Sequence, residues 1–191
     1  IRDRDKLLST HIESKGIATL TAVKPTARFG YLNLENNLSI FRGSENDVLR
    51  RFAEAAKKNN RSLHDVRHPS REFDVGNGLN RLGKRLLTVG TDVSVGKMFT
   101  ALAVEQEMKK RGFDADFRAT GQTGIFIAGS GVSIDAVVAD FISGAVEWLC
   151  PENSENHWDI VEGQGSLFNV SYAGVTLGLI HGSQPDALVV C

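Results

Sequence analysis

Gly90 and Gly96 enclose five residues, Thr91, Asp92, Val93, Ser94 and Val95, and Lys97 follows at once. This stretch joins the apolar run Leu86–Val89 to an amphipathic one, which makes it a loop between a strand and a helix. Such a loop suits phosphate. Main-chain N–H groups at a helix start carry the positive end of the helix dipole, glycine lets an anion approach closely, and lysine adds a full charge. The usual phosphate-loop pattern differs in two ways: it has four residues between its glycines, and a Ser or Thr after the lysine to bind magnesium. Here Met98 holds that place, then Phe99, and only then Thr100. A thioether is a poor ligand for a hard cation. Binding of a phosphate group is therefore expected, through Gly90, Thr91, Asp92, Ser94, Gly96 and Lys97, whereas magnesium-dependent chemistry at a terminal phosphate is in doubt.

Other side chains with chemical potential fall on comparable loops. Glu162, in "IVEGQG", stands where a buried strand ends, and suits a general base or a metal ligand. In "ATGQTG", Thr120, Gln122 and Thr123 offer hydrogen bonds to a carboxylate or a developing oxyanion, with capping of a strand end as the plain structural alternative. His181, in the glycine-flanked "LIHGSQPD", is of the residue type suited to moving a proton near neutral pH, and Ser183, Gln184 and Asp186 follow it. Arg67 and Arg71 suit carboxylates by bidentate pairing. His64 and His68 are four apart, but the proline after them argues for a turn instead of a helix, so no metal site is expected there.

The elements that must position these residues alternate. From Arg85 the order is strand "RLLTV", the glycine loop, helix "KMFTALAVEQEMKKR" stopped by Gly112, strand "ADFRAT", and a second glycine loop. A helix over "SIDAVVADFISGAVEWL" follows, ended by Pro151, then strand "WDIVEG", the loop "GQGSLFNVSYAG" and a final apolar segment ending in "ALVVC". Strands alternating with helices predict an α/β fold, a mostly parallel sheet with helices on both faces. Ligands of such sheets lie beyond the strand C-terminal ends, and all three glycine loops fall there, so they are expected on one rim. Upstream, "SENDVLRRFAEAAKKNN" predicts a helix with a capping box from Ser44 to Asp47, and "SLHDV" a short strand. "IATLTAVKP" and "YLNLENNLSIF" predict two further strands.

Composition narrows the class. Of 191 residues, 41% are hydrophobic and 24% charged, inside the globular range. No apolar run approaches the roughly 20 residues of a membrane helix, and the first residues lack the apolar centre of a signal peptide, so a cytoplasmic protein without membrane contact is expected. Cys150 and Cys191 are too far apart for a metal or redox motif. Residues 1–84 carry 16 Lys/Arg and 10 Asp/Glu, residues 85–191 carry 6 and 13. The halves thus differ in sign, but the basic charges are interleaved with acids and lack stacking aromatics, so no nucleic-acid partner is expected.

The longer loop spacing and "DIVEGQGSL" resemble dethiobiotin synthetase and related P-loop proteins, whose "VEGAGG" segment supplies a glutamate to the magnesium of the bound nucleotide. By that resemblance the role falls on Glu162. "HDVRHP", the run from Gly83 to Trp148 and "WDIVEGQGSLFNVSYAGVTLGLIHGSQPDALVVC" resemble a bacterial P-loop family of formerly unknown function that includes D-glutamate N-acetyltransferase. The likeness spans about residues 44–191 and implies a P-loop NTPase-like fold preceded by a Rossmann-like domain. It implies transfer of an acetyl group from acetyl-CoA to an acidic amino acid, feeding a racemase that acts on the N-acetylated product. Coenzyme A phosphates would occupy the Lys97 loop, with catalytic roles on Glu162, His181 and Gln122 and substrate contacts from Thr120, Thr123 and Arg67. "HIESKGIATLTAVKPTARFGYLNLENNLSIF" is similar instead to the sugar-1-phosphate nucleotidyltransferases, in particular glucose-1-phosphate cytidylyltransferase.

Three stretches are accordingly expected: 1–43, a β-rich fragment; 44–84, the remnant of a Rossmann-like domain with a connector; and 85–191, a P-loop domain, the chain being truncated at both ends. A homo-oligomer is expected. The competing readings are an ATP- and magnesium-dependent ligase or kinase, and a nucleotide- or CoA-binding module without catalysis.

Overall fold

The computed structural model describes the backbone of residues 30–34 and 37–41, residues 50, 53–54 and 56–60, and all residues from 66 to 191. The chain divides into two compact units, Ile1–Arg67 and His68–Cys191.

In the first unit, β1 (Gly30–Leu34) pairs antiparallel with β2 (Asn37–Phe41), in the register Gly30 opposite Phe41. The single strand expected over "YLNLENNLSIF" is therefore two antiparallel strands. Residues 50, 53–54 and 56–58 are helical, with Ala56 buried, inside the helix expected there. The Ser44 capping box, the strand "SLHDV" with His64, and the strand "IATLTAVKP" lie outside the described residues.

The second unit is a four-stranded parallel sheet in the order β4-β5-β3-β6, formed by β3 (Lys84–Val89), β4 (Ala115–Arg118), β5 (Trp158–Val161) and β6 (Ala187–Val190). Successive residues of a strand face opposite sides, and the core follows that alternation. Leu86 pairs with Ile160 on one face, where α1 (Lys97–Lys110) lays down Ala101, Val104 and Met108. Leu87 pairs with Val161 on the other, against Ala145, Val146 and Leu149 of α3 (Ile142–Leu149) and Leu179 of α4 (Ala173–Ser183). Helices thus cover both faces, as the alternating pattern predicts. Among the described residues no helix is long and apolar enough to cross a membrane.

Three elements differ from expectation. The second glycine loop, "GQTGIFIAGSG", contains a helix, Gln122–Ala128. The helix expected over residues 133–149 is two 3₁₀ turns, Ile134–Ala136 and Ala139–Phe141, before α3. Val137 and Val138 between them are extended, as suits two consecutive β-branched side chains. "LIHGS" is the last part of α4 and not a turn. Residues 68–83, expected as connector, pack on the second unit: Phe73 reaches the α3 side of the core, and Glu147 accepts the N–H groups of Asn77 and Gly78.

Candidate functional site

The loop between β3 and α1 turns twice through left-handed backbone, at Ser94 (φ 57°) and Gly96 (φ 99°). Gly96 is the α1 N-cap and no side chain caps the helix start, nor is any acid present in its first turn. The leading amides of α1 therefore face the loop with the dipole's positive end uncompensated. Gly90 is required by closeness: a Cβ there would stand 2.7 Å from both the Asp92 carbonyl oxygen and Lys97 Nζ. Lys97 is only 7% exposed, and its amine donates to that same carbonyl at 2.8 Å. Burial pulls the Lys97 pKa below the ordinary lysine value, against the opposing pull of Cys191 and Asp92.

The neighbouring strand ends lock this loop in place. The Gly163 N–H, just beyond β5, donates to Thr88 Oγ1 of β3 at 2.9 Å. A Cβ on Gly163 would collide with the Thr88 carbonyl oxygen and lie 3.1 Å from Lys97 Cδ, so the lysine stem passes against glycine backbone. Farther along that loop, Asn169 Nδ2 donates to Asp92 Oδ1 at 3.0 Å, and the Val93 N–H donates to the same oxygen at 2.7 Å. The Asn169 bond first and the Val93 N–H second hold the Asp92 carboxyl below the usual aspartate range. From the sheet edge, Cys191 O accepts both the N–H and the hydroxyl of Thr91, at 3.0 and 3.1 Å.

Glu162 serves the rim from beneath. Its carboxylate is 2% exposed and accepts the N–H groups of Thr120 and Gly121 at 2.9 and 3.0 Å. It lies against Gly124 in the first turn of α2 (Gln122–Ala128), where a Cβ would strike Oε2. Burial raises its pKa above the ordinary glutamate value, and the N–H groups of Thr120 and Gly121 and the side chain of Gln164 oppose that rise. Thr120 is equally internal, its hydroxyl donating to Glu162 O at 2.5 Å and accepting from Gln164 Nε2 at 3.3 Å.

The three glycine loops thus meet on one rim, bringing together Gly90, Thr91, Asp92, Ser94, Gly96, Lys97, Glu162 and Thr120. Gln122 and Thr123 join them at the start of α2, Thr123 exposed and Gln122 half-buried with an Oε1 that has no partner among the described residues. His181, Ser183, Gln184 and Asp186 are elsewhere. They run from the end of α4 to the start of β6, and Asp186 accepts the Arg85 N–H at the start of β3, so they flank the opposite edge of the sheet. Arg67 closes the other unit. The residues that join the loops, Thr88, Gly163, Gln164 and Asn169, did not stand out in the sequence. Gly163, Gln164 and Asn169 carry the only signal, lying in the loop after Glu162.

Comparison with known proteins follows the same span. The model of the DUF1611 P-loop domain, described as a domain of unknown function, matches residues 74–191. A protein named D-glutamate N-acetyltransferase from a Pseudoalteromonas species is 59% identical over 161 residues, 83% of this chain and 48% of that one. One of the same name from Tritonibacter scottomollicae is 59% identical over 140 residues, 73% and 42% of the two chains. This chain therefore spans just under half the length of these curated relatives. The crystal structure of a DUF1611 family protein from Anabaena variabilis superposes with a TM-score of 0.63 at 42% identity, covering 68% of this chain and 38% of that one.

Proposed function

The chain belongs to the DUF1611 P-loop family, and from that premise we propose that it serves acetyl-CoA-dependent N-acetylation of an acidic amino acid, D-glutamate first. The observation that carries this reading is the buried Lys97 amine between Gly90 and Gly163, followed by Met98 where a magnesium hydroxyl would stand. The names of the relatives support the acyl transfer; the cradle supports a phosphate-bearing donor without a terminal phosphate to be moved.

The residues present fit the coenzyme. Gly96 leaves open space beside the main chain, Gly90 lets the Lys97 amine and the Asp92 carbonyl close over it, the α1 amides and Lys97 supply positive charge, and no acid occupies the first turn. When bound there, acetyl-CoA supplies an activated acetyl thioester. The role assigned to this chain's residues is to bind and orient. Gly96 and Lys97 hold phosphate, Asp92 and Asn169 fix the loop's shape, and Gln122 and Thr123 offer donors at the rim. Glu162 is a positioning residue in this reading, since its carboxylate is committed to the β4–α2 turn and closed to solvent. His181, at the other edge, takes no part. A cytoplasmic setting, and a racemase that consumes the N-acetylated amino acid, belong to the same reading.

Titration calorimetry of the chain with acetyl-CoA, and separately with ATP and magnesium, tests it. Acetyl-CoA binding that is lost in Lys97→Ala is expected, followed by acetylation of D-glutamate. Preference for magnesium-ATP would overturn it and move the chain to the ligases and kinases.

A further inference from the structure

The opposite edge of the sheet holds a second cluster with unspent charge. Arg81 and Arg85 flank the start of β3; burial first, and the charge of Arg85 after it, pull the Arg81 pKa below the ordinary arginine value, against the opposing pull of Cys150. Arg85 is 5% exposed; its Nη2 reaches Arg81 O at 3.3 Å and its Nε reaches Gln184 O at 3.5 Å, while the Asp186 carboxylate stands 3.9 Å away. Arg81 Nη2 donates to Gly182 O at 2.6 Å. Three nitrogens remain: Arg81 Nε, Arg81 Nη1 and Arg85 Nη1 are buried without a hydrogen-bond partner among the described residues. Buried guanidinium N–H groups normally find an acceptor, and a carboxylate is the acceptor their geometry favours.

Beside them lies a cavity of about 390 Å³, lined by Arg81 together with Arg71, Asp74, Trp148 and Glu152. Its wall is mixed in sign. Arg71 stacks its guanidinium 5.1 Å above the Trp148 ring, and the exposed acids Asp74 and Glu152 face the same space. Glu147 also lines the cavity, but its oxygens are taken by the N–H groups of Asn77 and Gly78. A phosphate dianion would meet repulsion from the acids, and a simple amine would meet it from the arginines. A molecule that carries both charges satisfies both sides.

We propose that this cavity binds a zwitterionic α-amino acid, its carboxylate toward Arg81 with the charge of Arg85 behind, and its ammonium toward Asp74 and Glu152. The site lies at the strand N-terminal edge, away from the glycine loops, and is a second, separate site whatever the loops hold. The chain has two tryptophans, so Trp158→Phe leaves Trp148 in the cavity wall as the only emitter. In that background, D-glutamate is expected to change Trp148 emission saturably. Glutarate, which lacks the ammonium, should bind about tenfold more weakly, and Arg81→Lys should weaken D-glutamate by at least about tenfold. Glu152→Gln should weaken D-glutamate and strengthen glutarate, from which it removes a repelling charge, while Lys97→Ala should alter neither. No saturable change in Trp148 emission overturns the proposal, as does a change that persists equally in Arg81→Lys and Glu152→Gln. Should Arg81→Lys fail to fold by circular dichroism, the exposed Glu152 variant decides alone.

Discussion

The carboxylate of Glu162 accepts the main-chain N–H of Thr120 at 2.9 Å, which ties the end of β5 to the end of β4. A residue whose position in the sequence reads as a base or metal ligand thus has its oxygens turned into the protein. Two of its donors are the backbone N–H groups of Thr120 and Gly121, so those bonds hold the turn after β4 whatever side chains that turn carries.

Replacing Glu162 with Ala should be costly to the fold. It strands the N–H groups of Thr120 and Gly121 in a buried place, at about 1–3 kcal/mol for each. Denaturant unfolding checks this, and a loss confined to ligand affinity, with the midpoint unmoved, would contradict the positioning role.

Glu162 also sets a pH dependence. Its folded pKa is raised, so the folded state holds the proton more tightly than the unfolded chain does. Its contribution is therefore fully present below the ordinary glutamate value and is lost as pH rises through the raised one. Glu162→Gln should remove that fall from a plot of stability against pH, and an unchanged plot would count against it.

Lys97 should make anion affinity fall on the alkaline side sooner than an exposed lysine would, because burial lowers its pKa. Acetyl-CoA binding followed by calorimetry across alkaline pH should weaken below the ordinary lysine value, with proton uptake on binding in that range. Lys97→Arg should abolish that dependence even if it binds less tightly.

Gly163→Ala places a methyl against the Thr88 carbonyl oxygen and beside the Lys97 stem. Overpacking of this kind costs about 1–3 kcal/mol. The expected signature is a lowered melting temperature together with weaker anion binding, since strand and loop must both shift. Ligand binding equal to wild type at a temperature where the variant is folded would separate the two effects and refute their coupling.

Met98→Thr restores the hydroxyl that a magnesium-nucleotide loop uses. A gain in ATP affinity that depends on magnesium is expected, with acetyl-CoA affinity little changed. Titrations with and without the metal distinguish this from a general change in the loop.

Much of this architecture was legible in advance, and for physical reasons. The Gly90–Lys97 loop announces itself because glycine and lysine are demanded by local backbone geometry and charge, and α1 because Gly112 stops it. The strand order along the chain, and the meeting of three loops on one rim, follow from the handed crossovers of parallel sheets. What escaped depends on distance in the chain. Nothing local marks Thr88 as the acceptor for Gly163, 75 residues away, or Asn169 as the partner of Asp92, 77 away. His181 misled because its glycine neighbours read as a turn, whereas Gly178 and Gly182 are helical residues pressed against Ile142, Ser143 and Val146. Small residues there mark close helix packing, and they carry the histidine to the other edge of the sheet.

The seven-residue α2 has no side-chain cap of its own, and the carboxylate at its first turn arrives from a residue 41 positions beyond Gly121. So short a helix is marginal by itself in water. It is complete only when β5 is docked beside β4, so its stability includes the cost of closing a loop of about forty residues. The stability of the rim that would receive a ligand thereby depends on the docking of β5 beside β4. Amide exchange should find α2 opening together with the end of β5, and not with α1, although α1 carries the lysine.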